Sequence, residues 1–337
     1  MPKAALMPPR DIDRPALPRI ALTMGDPSGV GPEVIAAVWA DPQVWQVCRP
    51  VVIGGAEILS AAAALRGFAG VVEQAGSLTG AFEVANPTRM PCVGGNQLTL
   101  ADFTPGTVSA ATGEAAFQAV TQATELALAH EIDAIVTAPL SKAGLHAAGR
   151  DYPGHTELLA EMCGVSDFAM MLYLPPTLAP QTIAGLGVVH VTLHTSLRNA
   201  IETLSVEGIV EKCQLAHDAA IAYGVAKPRI GVAALNPHAG EGGLFGDEEL
   251  RLIAPAIEIA RDKGINATGP HSVDTLMGRA VGGEFDAVVA MYHDQGHIAL
   301  KLLGMHGAVN ITLGLPIVRT SVAHGTAPDK AWKDTAE

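Results

Sequence analysis

The chain has 337 residues, 21 Lys+Arg against 34 Asp+Glu, and a formal net charge of −13. With 49% hydrophobic and 16% charged residues, it is neither a disordered chain nor a coiled coil, and its acidic balance excludes a general nucleic-acid-binding surface, which needs clustered cations. No apolar run approaches the ~20 residues that span a bilayer, and at ~100–200 residues per domain the length predicts two domains, each with its own core.

Residues 1–18 form a Pro-rich tail with Lys3, Arg10 and Arg14 but no apolar core or small-residue cleavage site, so no signal peptide is expected. Apolar runs at 20–24, 50–53, 133–138 and 168–174 predict strands, followed by others at 187–193, 229–235, 285–291 and 308–313. Their near-continuous hydrophobicity suits parallel strands covered on both faces. Between them, Phe117, Val120, Ala123 and Leu126 mark a helix over 109–130. A second helix is predicted over 247–262, opened by Asp247, Glu248 and Glu249 and followed closely by the cations Arg261 and Lys263. This alternation predicts an α/β fold with mostly parallel sheets. Cys48, Cys92, Cys163 and Cys213 form no CxxC pair and read as buried small hydrophobes, in a reducing, cytoplasmic setting.

Four features carry chemistry. Gly25-Asp26-Pro27-Ser28-Gly29-Val30-Gly31-Pro32-Glu33 follows the first strand. It is neither GxGxxG nor a Walker loop, and its spacing fits a tight strand–helix connection. Tyr152-Pro153-Gly154-His155-Thr156-Glu157 precedes an apolar helix, with Thr156 placed as its cap and the helix start open to an anion; a capped helix with a solvated His is the alternative. His194, His238 and His293 each follow a predicted strand, where ligands of parallel sheets bind. Three imidazoles from three strands can hold a divalent metal with a position open for substrate, although each alone also reads as a hydrogen-bonded loop residue. Lys301, Asn310 and Arg319 flank or occupy the run at 308–313 and could hold a phosphate or carboxylate, the alternative being ordinary surface charges.

Together TMGDPSGVGPE (23–33), TAPLSKAGLHAAGRDYPGHTE (137–157), LNPHAGEGGLFGDEE (235–249), YHDQGHIALKLLG (292–304) and VNITLGLPIVRTSVAHGTA (309–327) resemble the 4-hydroxythreonine-4-phosphate dehydrogenases of pyridoxal phosphate biosynthesis and their paralogues, over residues 20 to 327. The resemblance implies a homodimer with the two-domain isocitrate/isopropylmalate dehydrogenase-like α/β/α fold, not a Rossmann domain. Domain 1, on the cofactor side, would comprise 19–138 plus 296–337; domain 2, on the metal, substrate and dimer side, would comprise 139–295. The active site is expected in the interdomain cleft at the dimer interface.

It further implies His194, His238 and His293 as ligands of a divalent metal (Zn, Mg or Co), one supplied by the partner subunit. His155, Thr156, Lys301, Asn310 and Arg319 would bind substrate, mainly its phosphate, while Asp274 and Asp294 would lie beside the metal as catalytic candidates. His324, Gly325, Thr326, Ala327 and Asp329 resemble an adenosine-binding loop, so NAD is the expected cofactor. The implied reaction is oxidation of a phosphorylated β-hydroxy acid with loss of CO₂, in an enzyme with no nucleic-acid or membrane partner. Asp274, or a water it orients, is a candidate general base.

Departures from the biosynthetic pattern include Gln295-Gly296-His297-Ile298, where those enzymes usually read Gln-Gly-Leu-Pro, and Ala323 in place of an Asp. With residues 189–205, His297 points toward 4-phospho-D-threonate or D-erythronate dehydrogenases, or the terephthalate cis-dihydrodiol dicarboxylate dehydrogenases. Retention of Gly154-His155-Thr156 favours a phosphorylated substrate over the dihydrodiol. A metal- or metabolite-binding homologue without catalysis is the alternative from another class.

Overall fold

The computed structural model describes residues 17–95, 98–304 and 307–336. The tail through residue 16, with Lys3, Arg10 and Arg14, therefore lies outside the described residues. The strands are β1 Arg19–Thr23, β2 Arg49–Ile53, β3 Val71–Gln74, β4 Arg89–Val93, β5 Ala134–Thr137 and β6 Ala169–Leu174. They continue as β7 Leu186–His190, β8 Arg229–Ala233, β9 Asn266–His271, β10 Ala287–Ala290, β11 Val309–Leu313 and β12 Val318–Val322. The helices are α1 Gly31–Ala40, α2 Val44–Val47, α3 Ala56–Leu65, α4 Leu78–Val84, α5 Ala110–Leu128 and α6 Lys142–Ala147. After them come α7 His155–Met162, α8 Leu197–Glu202, α9 Val206–Ala222, α10 Ala254–Asp262, α11 Val273–Val281 and α12 His293–Gly304.

The chain divides into two compact units, residues 1–166 with 315–337 and residues 167–314. In unit 1 the strand order is β3-β4-β2-β1-β5-β12, all parallel. This is not the 3-2-1-4-5-6 order of a Rossmann domain. Leu22, Val52, Met90 and Cys92 from the sheet pack with Ile35, Trp39, Ile58 and Leu59 from α1 and α3. Helix α5 runs where the three-residue spacing predicts it and is capped by Ser109, whose side chain accepts from the Thr112 N–H.

In unit 2 the order is β11-β6-β7-β10-β8-β9. The β7, β10, β8 and β9 strands run parallel, while β6 is antiparallel to both β7 and β11. Val189, Ile230, Val232 and Val289 from the sheet close over Ile209, Cys213, Ile253 and Ile257. Cys92 and Cys213 are free thiols whose pKa burial pushes up to about 12, in keeping with structural cysteines.

By its internal contacts the chain divides at 166/167 and 314/315. Helices α6 and α7 pack on α5 and so stay with unit 1, while α12 packs on β6, β7 and β10 and stays with unit 2. Strands β3, β4, β9 and β12 fall outside the predicted runs: β3 is half-exposed, β9 is polar, β12 carries an arginine, and β4 is a short buried run, Met90 to Val93, that the prediction misses. The helix predicted over 247–262 opens instead with a π-helical turn, Glu249–Ile253, leading into α10.

Candidate active site

The parallel strands β7 and β10 are in register with His190 opposite Ala290. The chain then turns away from the sheet, so His194 and His293 both stand just past strand ends, the place where ligands of parallel sheets bind. Their ring centroids are 5.6 Å apart. Both line a cleft of about 520 Å³ together with Leu193, Thr195, Tyr292 and Asp294. Asp294 Oδ1 lies 2.7 Å from His293 Nδ1, so the carboxylate accepts from that nitrogen, and Nε2 is the ring atom that would face a ligand.

Strand β8 flanks β10 on its other side and leads to His238. That residue is exposed and opens a run, His238 to Gly242, whose φ values of 45° to 75° all lie in the left-handed region. The three non-glycine members each carry a strain of about 1 kcal/mol. Strain of this kind gathers at functional sites.

Among the described residues, no group of three or more His, Cys, Asp or Glu side chains converges as a metal set. The donors still suit a divalent cation: two imidazoles share one cleft, and the one on His293 is oriented by a carboxylate. Asp274 sits exposed in the first turn of α11.

Behind His293 lies a pair to which the sequence assigns no role. His190, fully buried, approaches the Met170 carbonyl through Nδ1 at 3.4 Å, and its Nε2 lies 3.1 Å from His297 Nδ1. A carbonyl only accepts, so His190 carries its proton on Nδ1, its Nε2 accepts from His297, and His297 Nε2 is left bare. The His297 ring stacks on that of His293 at 3.8 Å. Burial, reinforced by the neighbouring imidazoles, pushes His190 down to about 4 and His297 down to about 3. Gly296 permits this packing, since a Cβ there would stand 2.6 Å from His190 Nε2. A sequence signal exists in Gln295-Gly296-His297, but a strand histidine such as His190 looks like core.

In unit 2, Lys301 lies on α12 and Asn310 on β11, both half-buried; Asn310 Oδ1 is shielded from solvent and has no hydrogen-bond partner among the described residues.

In unit 1, β12 pairs with β5 so that Arg319 faces Ile135, one alternation from Thr137 on the same side of the sheet. Arg319 is buried and donates to Thr137 Oγ1 from Nε at 3.2 Å and from Nη2 at 2.7 Å. Burial brings the guanidinium pKa down to about 10, against the opposing effect of Glu157. His155 Nε2 is shielded and has no hydrogen-bond partner among the described residues. Burial first, and then the Arg319 cation, hold His155 well below its ordinary pKa, against a hydrogen bond with the Ala138 backbone.

Thr156 is not the helix cap: Gly154 occupies that position, without a side-chain bond, and Thr156 stands inside the first turn of α7. A glycine cap leaves the first-turn N–H groups without a side-chain acceptor, which suits an anion better than a capped start.

The Gly25–Gly31 loop is the tight connection its spacing indicates, held by buried Asp26, whose Oδ1 accepts from the Ser28 N–H and hydroxyl at 2.9 and 2.8 Å. Against it lies the segment His324 to Asp329. Val30 N donates to Thr326 O at 3.0 Å, and a Cβ on Gly29 would stand 2.8 Å from Thr326 Cβ. His324, Gly325, Thr326, Ala327 and Asp329 are half-exposed or exposed, with Ala327 at φ 42°. Buried Glu33 accepts from the N–H groups of Trp332 at 2.6 Å and Asp334 at 3.0 Å, fastening the end of this segment.

No described helix is long and apolar enough to cross a membrane. A 4-hydroxythreonine-4-phosphate dehydrogenase of Geobacter metallireducens is 47% identical over 316 residues, covering 93% of this chain and 89% of that protein. A D-threonate 4-phosphate dehydrogenase of Pectobacterium atrosepticum is 42% identical, with 94% of each chain covered. The crystal structure of a 4-hydroxythreonine-4-phosphate dehydrogenase from Burkholderia phymatum superposes with a TM-score of 0.80 at 43% identity, covering 95% of this chain and 94% of that one. The family described as pyridoxal phosphate biosynthetic protein PdxA matches residues 46–337. With that match, and with the mostly parallel α/β architecture of the isocitrate/isopropylmalate dehydrogenase type, the chain belongs to the PdxA family.

Proposed function

We propose that this dehydrogenase oxidises the secondary alcohol of a phosphorylated β-hydroxy acid with NAD as hydride acceptor, assisted by a divalent metal and followed by loss of CO₂. The observation that carries the reading is the pair of imidazoles, His194 and His293, on one cleft at the ends of neighbouring parallel strands. His194, His293 and His238 would hold the metal, with one ligand supplied by a second copy of the chain. A cation held there would acidify the substrate hydroxyl and polarise the ketone formed from it.

The chain's own groups account for the rest. Arg319 offers a desolvated cation, and His155 and Thr156 an uncapped helix start, to a phosphate. Lys301 and Asn310 add a charge and an amide to substrate binding. Fixing the distant phosphate orients the reacting carbinol, so binding energy lowers the barrier to hydride transfer. Asp294 orients His293 in this reading, and the exposed Asp274 is a weaker candidate for proton removal. The 324–329 segment would bind the adenosine side of NAD. Exposed Leu197, Leu244, Phe245, Ile298 and Leu302 on unit 2 support an apolar contact between two copies of the chain.

The substrate reading favoured is 4-hydroxythreonine 4-phosphate, the substrate in the name of the Geobacter relative. His297 and the Pectobacterium relative favour D-threonate 4-phosphate as the second. The test is NADH formation from 4-hydroxythreonine 4-phosphate, D-threonate 4-phosphate, D-erythronate 4-phosphate and the terephthalate dihydrodiol, each with Mg²⁺, Zn²⁺ or Co²⁺ and with EDTA. Turnover of a phosphorylated acid that EDTA abolishes is expected. Turnover of the dihydrodiol alone would overturn the phosphate assignment, and tight metal binding without any turnover would make the chain a binding homologue.

A further inference from the structure

Glu249 stands in sequence at the opening of a helix, a place that usually faces solvent, yet its carboxylate is buried and turned toward the loop that bears His238. Oε1 accepts from the backbone N–H groups of Leu235 at 2.8 Å and Asn236 at 2.7 Å, and Oε2 accepts from Asn236 Nδ2 at 3.0 Å. The same Asn236 amide also donates to Glu248 Oε2 at 2.7 Å.

On the preceding residue, Ala234, the carbonyl accepts from Gln295 Nε2 at 2.7 Å, while Gln295 Oε1 accepts from Met291 N at 2.7 Å. Residues 234–236 are thus fastened one after another by two buried side chains. Gln295 belongs to α12, the helix that begins with His293.

The turn beyond this fastened stretch is strained. His238, Ala239 and Glu241 adopt left-handed backbone angles that side chains other than glycine disfavour. Such a run persists only if its entry is fixed by the surrounding structure. A carboxylate suits the task because it is acceptor-only and can meet all three donors at once.

We propose that Glu249 is a positioning residue for His238, fixing the entry to the left-handed turn and so the direction in which the imidazole is presented to a divalent cation. This rests on the reading of His238 as a metal ligand. Orienting groups behind metal ligands typically set affinity by 10- to 100-fold.

In Glu249→Gln the side-chain NH₂ faces the Asn236 NH₂, donor against donor. The experiment titrates Co²⁺ alone into EDTA-stripped protein, read by calorimetry and by the visible absorption of the bound ion, which reports its coordination. Glu249→Gln is expected to weaken Co²⁺ binding at least tenfold and alter its absorption, with far-UV circular dichroism unchanged. In a His238→Ala background the same change should weaken binding by less than twofold.

If His238→Ala binds Co²⁺ as the parent does, the ligand reading itself fails. If His238→Ala weakens binding while Glu249→Gln does not, or if the two losses simply add, the positioning role is overturned. Should Glu249→Gln not fold, Glu249→Asp, one methylene shorter and so unable to meet all three donors at their present distances, serves instead. A threefold or greater loss of Co²⁺ affinity supports the proposal, and parental affinity refutes it.

Discussion

Lowering the pH from about 7.5 to about 5.5 protonates an exposed imidazole, whose ordinary pKa is about 6.5, but leaves His190 and His297 neutral in the folded chain. Burial holds these two at about 4 and about 3, with neighbouring imidazoles adding to the effect and Lys301 adding further for His297. The Met170 and His293 backbone carbonyls pull the other way without winning. Between the folded and unfolded values the unfolded chain binds one more proton per ring, so stability falls as pH falls from about 6.5 toward about 4. One pH unit below the unfolded value, each ring costs about 1.4 kcal/mol, hence roughly 2.8 kcal/mol for the pair at pH about 5.5. The assay is urea unfolding of EDTA-treated protein across this range, followed by far-UV circular dichroism, because Trp39, Trp45 and Trp332 all lie in unit 1 and do not report on unit 2. His297→Leu removes one of the two titrating rings and should roughly halve the histidine pair's share of the slope of stability against pH. Its stability at neutral pH should also drop, since His190 Nε2 loses its donor, so the slope and not the midpoint decides. An identical slope in variant and parent, or none between pH about 7 and about 5, would refute the reasoning.

Arg319→Met should raise KM for the phosphorylated substrate about 10- to 100-fold, as expected for a lost charge-assisted bond of roughly 1.5–3 kcal/mol; steady-state kinetics with an unchanged KM would remove Arg319 from the phosphate site. Gly296→Ala places a Cβ 2.6 Å from His190 Nε2 and 2.7 Å from Val188 Cγ1. Overpacking of this kind costs about 1–3 kcal/mol, so urea unfolding should show a clear loss of stability, and parental stability would mean that α12 can shift. Asp286 is buried and paired with Arg229, which bonds it through Nε, Nη2 and its backbone N–H. Asp286→Asn should therefore cost about 2 kcal/mol, less than a fully buried pair because the arginine side chain is 38% exposed. Thermal unfolding unchanged by that substitution would show the pair to be marginal. Glu33→Gln should speed proteolysis near Trp332 and Asp334, whose N–H groups it holds, and an unchanged cleavage rate would show other contacts to be sufficient.

The strands predicted from apolar runs recur as β1, β2, β5, β6, β7, β8, β10 and β11, because a strand covered on both faces must be continuously hydrophobic. Of the other four, β3, β9 and β12 lack that signature. Strand β12 illustrates the reason: Arg319 interrupts its apolar character, and only pairing with β5 supplies Thr137 as a partner. Of the site, His194 and His293 are legible as residues just past strands, and the structure brings their rings together. Thr156 reads as a cap because a threonine before an apolar helix is a common one, whereas here Gly154 already fills that place.

Composition, the periodicity of apolar runs and a few long motifs thus determined the α/β class, the strand–helix order and the family, since these depend on which side chains must leave water and in what rhythm. Tertiary structure alone decided which polar groups meet. Glu249 and Asn236 are distant enough in sequence that no local pattern links them, as are His190 and His297, and Glu33 and Trp332. A buried donor or acceptor must find its partner wherever the chain's path brings one, and that path is set by the packed sheets, not by spacing along the chain.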